Sequence, residues 1–280
     1  ETLTQTLADY QAAAKIPLFL AVDEEGGTVC RVSRYTSFRH SPFPSPRELY
    51  DMGGMELVLA IEGEKALLLH SLGINVNMAP VCDVTTKPSS FMYRRSLGQS
   101  PEITGKFVAN STAVMRNYHM GSVLKHFPGY GNNTDTHTGI AVDDRSLEEL
   151  EARDLVPFAA GIDADCGAIL VSHTIVNALD PDLPATLSPA THDYLRVVMG
   201  FEGVIVTDDL VMQAITDSYG AGEAAVLAVL AGNDLLCSTE YQVQYQAVLE
   251  AVQTGRIPME LLETAVTRLL QWKQELGLIA

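Results

Sequence analysis

The residues best suited to chemistry in this 280-residue sequence are carboxylates, histidines and basic side chains gathered in four short segments. One runs from Lys125-His126 through Phe127-Pro128-Gly129-Tyr130-Gly131 to Asp135-Thr136-His137. A carboxylate two residues from an imidazole can orient the ring and raise its pKa, which would make His137 a proton donor near neutrality. The same spacing also serves a plain Asx turn beside a solvated histidine. A second segment is Thr207-Asp208-Asp209-Leu210. Successive strand side chains point to opposite sides, so one carboxylate can project as a nucleophile while the other caps the next turn. Taken alone, a strand-terminal Asp equally suits a metal ligand or a binding carboxylate. The third, Asp23-Glu24-Glu25-Gly26-Gly27 with Arg31, suits hydrogen bonding to sugar hydroxyls or to a carboxylate-bearing ligand, and also a plain surface ion pair. The fourth, Tyr93-Arg94-Arg95-Ser96-Leu97-Gly98, offers two guanidiniums in a loop that could equally be solvated.

These segments need elements to position them. Six short apolar runs bounded by turn residues recur: 16–22, 73–79, 122–126, 167–173, 203–208 and 233–238. Their continuous rather than alternating hydrophobicity points to strands buried on both faces, as in a parallel sheet. Helical spacing fills the intervals at 55–70, 102–119, 146–161, 188–199, 223–230 and 257–276, with a further helix over 1–15. Ser146-Leu147-Glu148-Glu149 reads as a capping box. Strand-then-helix repetition predicts an α/β protein. Asp23, Asp83, Lys125 with His126, Ser172 with His173, Asp208 and Ser238 all sit at the C-terminal ends of strands. That end carries the active site of a parallel barrel. An open doubly wound sheet would ask for a Gly-rich phosphate loop, and Glu25-Gly26-Gly27 is not one. The expectation is a TIM-type (β/α)8 barrel forming a single domain over 1–280, with six strands visible and the first two β/α units missing. Such a barrel would leave strand edges beside 16–22 and 233–238 unpaired.

With 18 basic and 35 acidic residues the chain carries a formal charge of −17, which repels phosphate backbones and argues against general nucleic-acid binding. No apolar run approaches the roughly 20 residues of a membrane span. Cys30, Cys82, Cys166 and Cys237 show neither CxxC nor zinc-site spacing, and the last three lie in or beside apolar runs as small buried hydrophobes would. The sequence starts at Glu1 without a signal-peptide pattern, so a longer protein trimmed at its start is expected, and a secreted or lipid-anchored location is favoured over a cytoplasmic one.

Taken together and in order, the four segments resemble the family 3 glycoside hydrolases, in particular the single-domain β-N-acetylglucosaminidases of peptidoglycan recycling. KHFPG-x-G followed by D-x-H stands at Lys125–Gly131 and Asp135–His137, D-x-E-G-G…R at Asp23–Arg31, R-S-(F/L)-G at Arg95–Gly98, and S/T-D-D-L at Thr207–Leu210. The resemblance implies a retaining hydrolysis with Asp208 as nucleophile and His137 as acid and base, held by Asp135. It implies that Asp23, Arg31, Arg95, Lys125 and His126 bind the terminal GlcNAc, with His173 near the same pocket. No metal or organic cofactor is implied, and the partner is a GlcNAc-containing saccharide. Tyr130 and Asn132-Asn133 depart from the family's KHFPG-H-G-D-T, and Thr28 replaces a residue that is often basic. A neutral histidine donor would also admit phosphate to the intermediate, which keeps phosphorolysis open beside hydrolysis. A β-glucosidase would take its acid from a separate domain. From another class, a non-catalytic sugar-binding barrel remains an alternative. A metal-dependent hydrolase drawn on His126, His137, His173 and Asp208 lacks the His-x-His pair of such barrels. The oligomeric state is left open.

Overall fold

The computed structural model describes residues 2–131 and 139–280, which fall into two compact units. One comprises Glu1–Lys125, Val156–Gly167 and Leu270–Ala280. In it, strand Ala21–Val22 pairs in parallel with Val76–Asn77, which pairs in parallel with the start of strand Gly121–Phe127. The expected 16–22 strand is thereby reduced to its last two residues, and the reason is local. Asn75 Oδ1 accepts the Leu20 N–H at 2.8 Å and Asn75 Nδ2 donates to the Leu18 carbonyl at 3.0 Å. Side-chain amides thus take the place of ladder bonds before the strand begins.

Helix Pro46–Ser71 opens nine residues before the apolar period does, because Ser45 and Glu48 form a capping box with Pro46 at its first turn. It kinks at Gly53-Gly54, where Gly54 takes φ 64°. Its apolar stripe, Ala66, Leu69 and Leu72, packs with Ile74, Met115 and Met120 into the core, and Leu3 and Leu7 of helix Thr2–Ala13 lie against that cluster. Trp272 closes the far side so tightly that a Cβ on Gly167 would stand 1.9 Å from its Nε1.

The other unit comprises His126–Leu155 and Ala168–Leu269. Here the end of strand Gly121–Phe127 continues: the Phe127 carbonyl accepts the Ser172 N–H at 2.9 Å. Strand Ala168–Val171 then pairs in parallel with Val204–Thr207 through four successive rungs. The sixth run, 233–238, is not a strand but an isolated parallel bridge from Leu235 to Val206. Its ladder is cut short because the Asp234 carboxylate takes the Ile205 N–H and Thr207 Oγ1 takes the Cys237 N–H. Cys237 is therefore exposed, unlike the buried Cys82 and Cys166.

The predicted helix over 146–161 divides into Leu147–Ala152 and Leu155–Asp163, because Asp154 turns inward to pair with Arg145. That over 188–199 becomes Pro189–Asp193 followed by a π turn at Tyr194–Val198. Helix Tyr241–Gln253 has no counterpart among the sequence-predicted elements; its exposed Tyr241, Val243 and Tyr245 blur the apolar period. Helix Ala221–Ala231 is apolar apart from the exposed Glu223 and is largely buried, with Ala224, Ala225 and Ala228 against Leu187, Leu210 and Ile215. No helix among the described residues is long and apolar enough to cross a membrane.

Candidate active site

In the first unit the chain turns sharply after strand Ala21–Val22 into the hairpin formed by Glu24–Gly26 and Val29–Cys30. Gly26 sits at φ 102° with the Pro44 carbonyl oxygen 2.3 Å from where its Cβ would be, so neither a side chain nor another conformation fits. Glu24, fully buried, organises the turn. Its carboxylate accepts the N–H groups of Arg31, Val32 and Ser33 at 2.9, 2.7 and 3.2 Å, and the Ser33 hydroxyl as well.

This hairpin aims the next carboxylates at two cations. Lys125 Nζ lies 2.6 Å from Asp23 Oδ1 and 2.6 Å from Glu25 Oε1. Arg95 grips Glu25 with two bonds, Nε at 2.9 Å and Nη2 at 2.7 Å. Behind them Lys65, itself buried and paired with Glu62 at 2.7 Å, donates to the Glu25 carbonyl at 2.7 Å. Burial works against the Lys125 charge, but Glu25 and Asp23 outweigh it and hold the pKa above its ordinary value. Glu25 is enclosed, whereas the Asp23 side chain is 39% exposed. The array can therefore offer Asp23 as an acceptor, with Arg95 and Lys125 as fixed donors, to vicinal hydroxyls. Arg31, also expected here, is different. It contributes its backbone N–H to Asp23 and Glu24, while its side chain is exposed and bonds to none of the described residues.

In the second unit, Asp208 and Asp209 follow strand Val204–Thr207. The Asp208 N–H donates to the Val171 carbonyl at 3.2 Å, and its Oδ1 accepts the Asp209 N–H at 2.9 Å. Asp209 Oδ1 instead accepts the Val211 N–H at 3.1 Å, the turn-capping task anticipated for one of the two. His173 is completely buried. Its Nε2 meets the Asp209 carbonyl at 3.0 Å and its Nδ1 the Thr186 hydroxyl at 2.8 Å. A carbonyl can only accept, so Nε2 carries the proton. The ring thus uses both nitrogens in holding the Asp208-Asp209 turn. His126 is buried and stacks edge-on with Tyr130, ring centroids 5.1 Å apart. Asp135 and His137 lie outside the described residues.

Three buried polar groups, two of them within these clusters, escaped sequence reasoning. Glu25 was visible within D-x-E-G-G but carried no assigned role; Thr186 sits in no motif, and nothing in the sequence signals it. The third is the buried Asp143–Arg145–Asp154 network, in which Arg145 Nη2 pairs with Asp143 Oδ2 at 2.6 Å and its Nη1 reaches Asp154. Among the described residues no group of three or more His, Cys, Asp or Glu side chains could hold a metal ion.

The sequence profile described as "Glycosyl hydrolase family 3 N terminal domain" matches residues 2–272. The chain belongs to this family. Among curated relatives, it is 36% identical to a β-hexosaminidase of Stenotrophomonas maltophilia over 86% of this chain and 73% of that protein. It is 32% identical to the β-hexosaminidase LpqI of Mycobacterium tuberculosis, over 92% of this chain and 68% of LpqI. Against β-hexosaminidase A of Pseudoalteromonas piscicida the identity is 32% over 98% of this chain, which spans half of that protein's length. A solved family 3 β-N-acetylglucosaminidase from Paenibacillus superposes with TM-score 0.92 at 33% identity, over 99% of this chain and 54% of that one.

Proposed function

We propose that the protein is a retaining exo-β-N-acetylglucosaminidase that removes terminal GlcNAc from peptidoglycan-type fragments. The observation that carries this reading is the Asp23–Lys125–Glu25–Arg95 array: three motif segments, up to 102 residues apart in sequence, joined in one hydrogen-bonded set of donors and acceptors. Relatives named β-hexosaminidase and β-N-acetylglucosaminidase support the choice of sugar. Asp23, Lys125 and Arg95 bind the hydroxyls of the terminal residue, Arg31 and His126 are assigned to the same sugar by the motifs they stand in, and Glu25 fixes the two cations. His173 acts from behind, on the Asp208-Asp209 backbone.

In the first step an Asp208 carboxylate oxygen bonds to the anomeric carbon as the carbon–aglycone bond breaks, and His137 gives its proton to the leaving oxygen. Asp135 holds that imidazole and stabilises its charged form. Water then attacks the same carbon, His137 takes its proton, and the Asp208 ester bond breaks. Every proton is accounted for by the one histidine, so no cofactor enters the scheme. The finer architecture we propose is a TIM-type (β/α)8 barrel in a single catalytic domain, to which the described residues give five ladder strands and the 233–238 run; the uninterrupted profile match over 2–272 supports it.

The test is hydrolysis of an aryl β-N-acetylglucosaminide beside the matching β-glucoside. Release from the first alone is expected, with Asp208→Asn abolishing turnover while retaining binding. A normal rate in Asp208→Asn would remove that residue as nucleophile, and equal release from both substrates would remove the sugar assignment.

A further inference from the structure

A cavity of about 630 Å³ in the second unit lies where the 233–238 run meets helix Tyr241–Gln253. It is lined by Leu236, Ser238, Tyr241, Gln244, Tyr245 and Val248, and by the neutral amides Gln242 and Gln246. Gln244 is the unusual member. It is only 3% exposed, yet neither its Oε1 nor its Nε2 has a hydrogen-bond partner among the described residues. An unmade bond at a buried amide is costly, and this side chain leaves both an acceptor and a donor open. Tyr241 and Tyr245, one helical turn apart and 65% and 63% exposed, add two aromatic rings to the same cavity.

We propose that this cavity is a second binding site, taking a neutral, acetamido-bearing sugar. The donor and acceptor of Gln244 match the carbonyl and N–H of an acetamido group. Tyrosine rings cover the apolar face of a pyranose, and the remaining lining amides and Ser238 suit hydroxyls. The absence of any charged side chain among the lining residues, in a chain of net charge −17, disfavours an ionic ligand. An extended polypeptide would also satisfy an amide, but four neutral hydrogen-bonding side chains around two tyrosines fit a saccharide better. The cavity also adjoins the proposed nucleophile through the backbone. Cys237, one residue before Ser238, donates to Thr207 Oγ1 at 2.8 Å and accepts the Leu210 N–H at 3.1 Å, so it ties down both flanks of Asp208-Asp209. The choice of sugar rests on the glycosidase reading; the open amide and the cavity do not.

The full chain carrying Asp208→Asn is titrated with the neutral GlcNAc trimer, followed by calorimetry and by the side-chain amide signals in NMR. A binding event that shifts the Gln244 amide is expected, and it should weaken at least tenfold with the de-N-acetylated trimer. Adding Gln244→Leu should weaken the same event at least tenfold while raising Tm, because an unpaired buried amide is removed. If that variant fails to fold, Tyr245→Ala, at an exposed position, makes the same comparison of affinity. Trimer binding indifferent to both variants, or no shift at Gln244, overturns the proposal. So does preferential binding of an acetylated apolar heptapeptide, which would make the cavity a polypeptide-docking surface. Turnover of the aryl glycoside by the unsubstituted chain separates the two readings. Turnover without trimer at this cavity defeats only the second site, whereas a Gln244-dependent site without turnover defeats only the hydrolase.

Discussion

Glu25→Gln isolates the organising charge of the sugar-binding array with almost no change in shape. The wild-type side chain is 1% exposed and makes contacts of 2.6 Å to Lys125 and of 2.7 and 2.9 Å to Arg95. The glutamine leaves the buried Lys125 ammonium with Asp23 alone, and Asp23 is 39% exposed. Arg95 likewise loses the charged carboxylate that its Nε and Nη2 bonds answer. Removing one member of a buried pair leaves the other charge uncompensated, at a cost of about 3–5 kcal/mol. For a chain of this size that is a fall in Tm of roughly 5–9 °C. The pH dependence has a definite sign. Lys125 has a folded pKa above its ordinary 10.5, so its stabilisation is complete below pH 10.5 and is lost as pH rises through the folded value. Without Glu25 the burial that opposes the charge is less well offset, and the folded value drops. The stability gap between the two proteins should therefore be widest near neutrality and narrow above pH 10.5. Urea denaturation at pH 7 and at a pH above 10.5 measures it, alongside KM for the aryl glycoside, which should rise. A cost below about 1 kcal/mol at pH 7 would refute the argument, as would costs of Glu25→Gln and Lys125→Met that simply add in the double variant.

Other positions give independent checks. His137→Ala should slow substrates with poor leaving groups far more than activated aryl glycosides, and an equal loss on both would contradict an acid role. Gly167→Ala drives a methyl into Trp272, 1.9 Å from its Nε1, and should cost about 1–3 kcal/mol or more; fluorescence of the single tryptophan during urea unfolding reads it, and an unchanged midpoint would contradict the packing. Burial lowers the pKa of His192, so the unfolded chain takes up a proton first as the pH falls below 6.5. Stability should decline there by at most about 1.4 kcal/mol per pH unit from this group, and His192→Asn should flatten that slope; identical slopes would exclude it.

The sequence by itself determined the alternation of buried strands and helices and the places of Asp23, Ser172 and Asp208 directly after strands. Both follow from local pattern: continuous apolar runs such as Ala168–Val171, the capping box at Ser146, and glycines at the turn after Asp23. What the sequence could not give was the use each residue makes of its neighbours. Whether 16–22 and 233–238 become full strands depends on Asn75, Asp234 and Thr207 competing for backbone groups from elsewhere in the chain. Arg31 carries the motif yet serves through its backbone, while Glu25, given no role by spacing, ties Lys125 to Arg95. His173 looks like a ligand in one dimension and becomes a brace once Thr186 and the Asp209 carbonyl approach both its nitrogens. Pattern reports what a residue can do over a few neighbours; which of those options is taken is decided by partners 13 to 102 residues away, brought within hydrogen-bonding distance only by the folded chain.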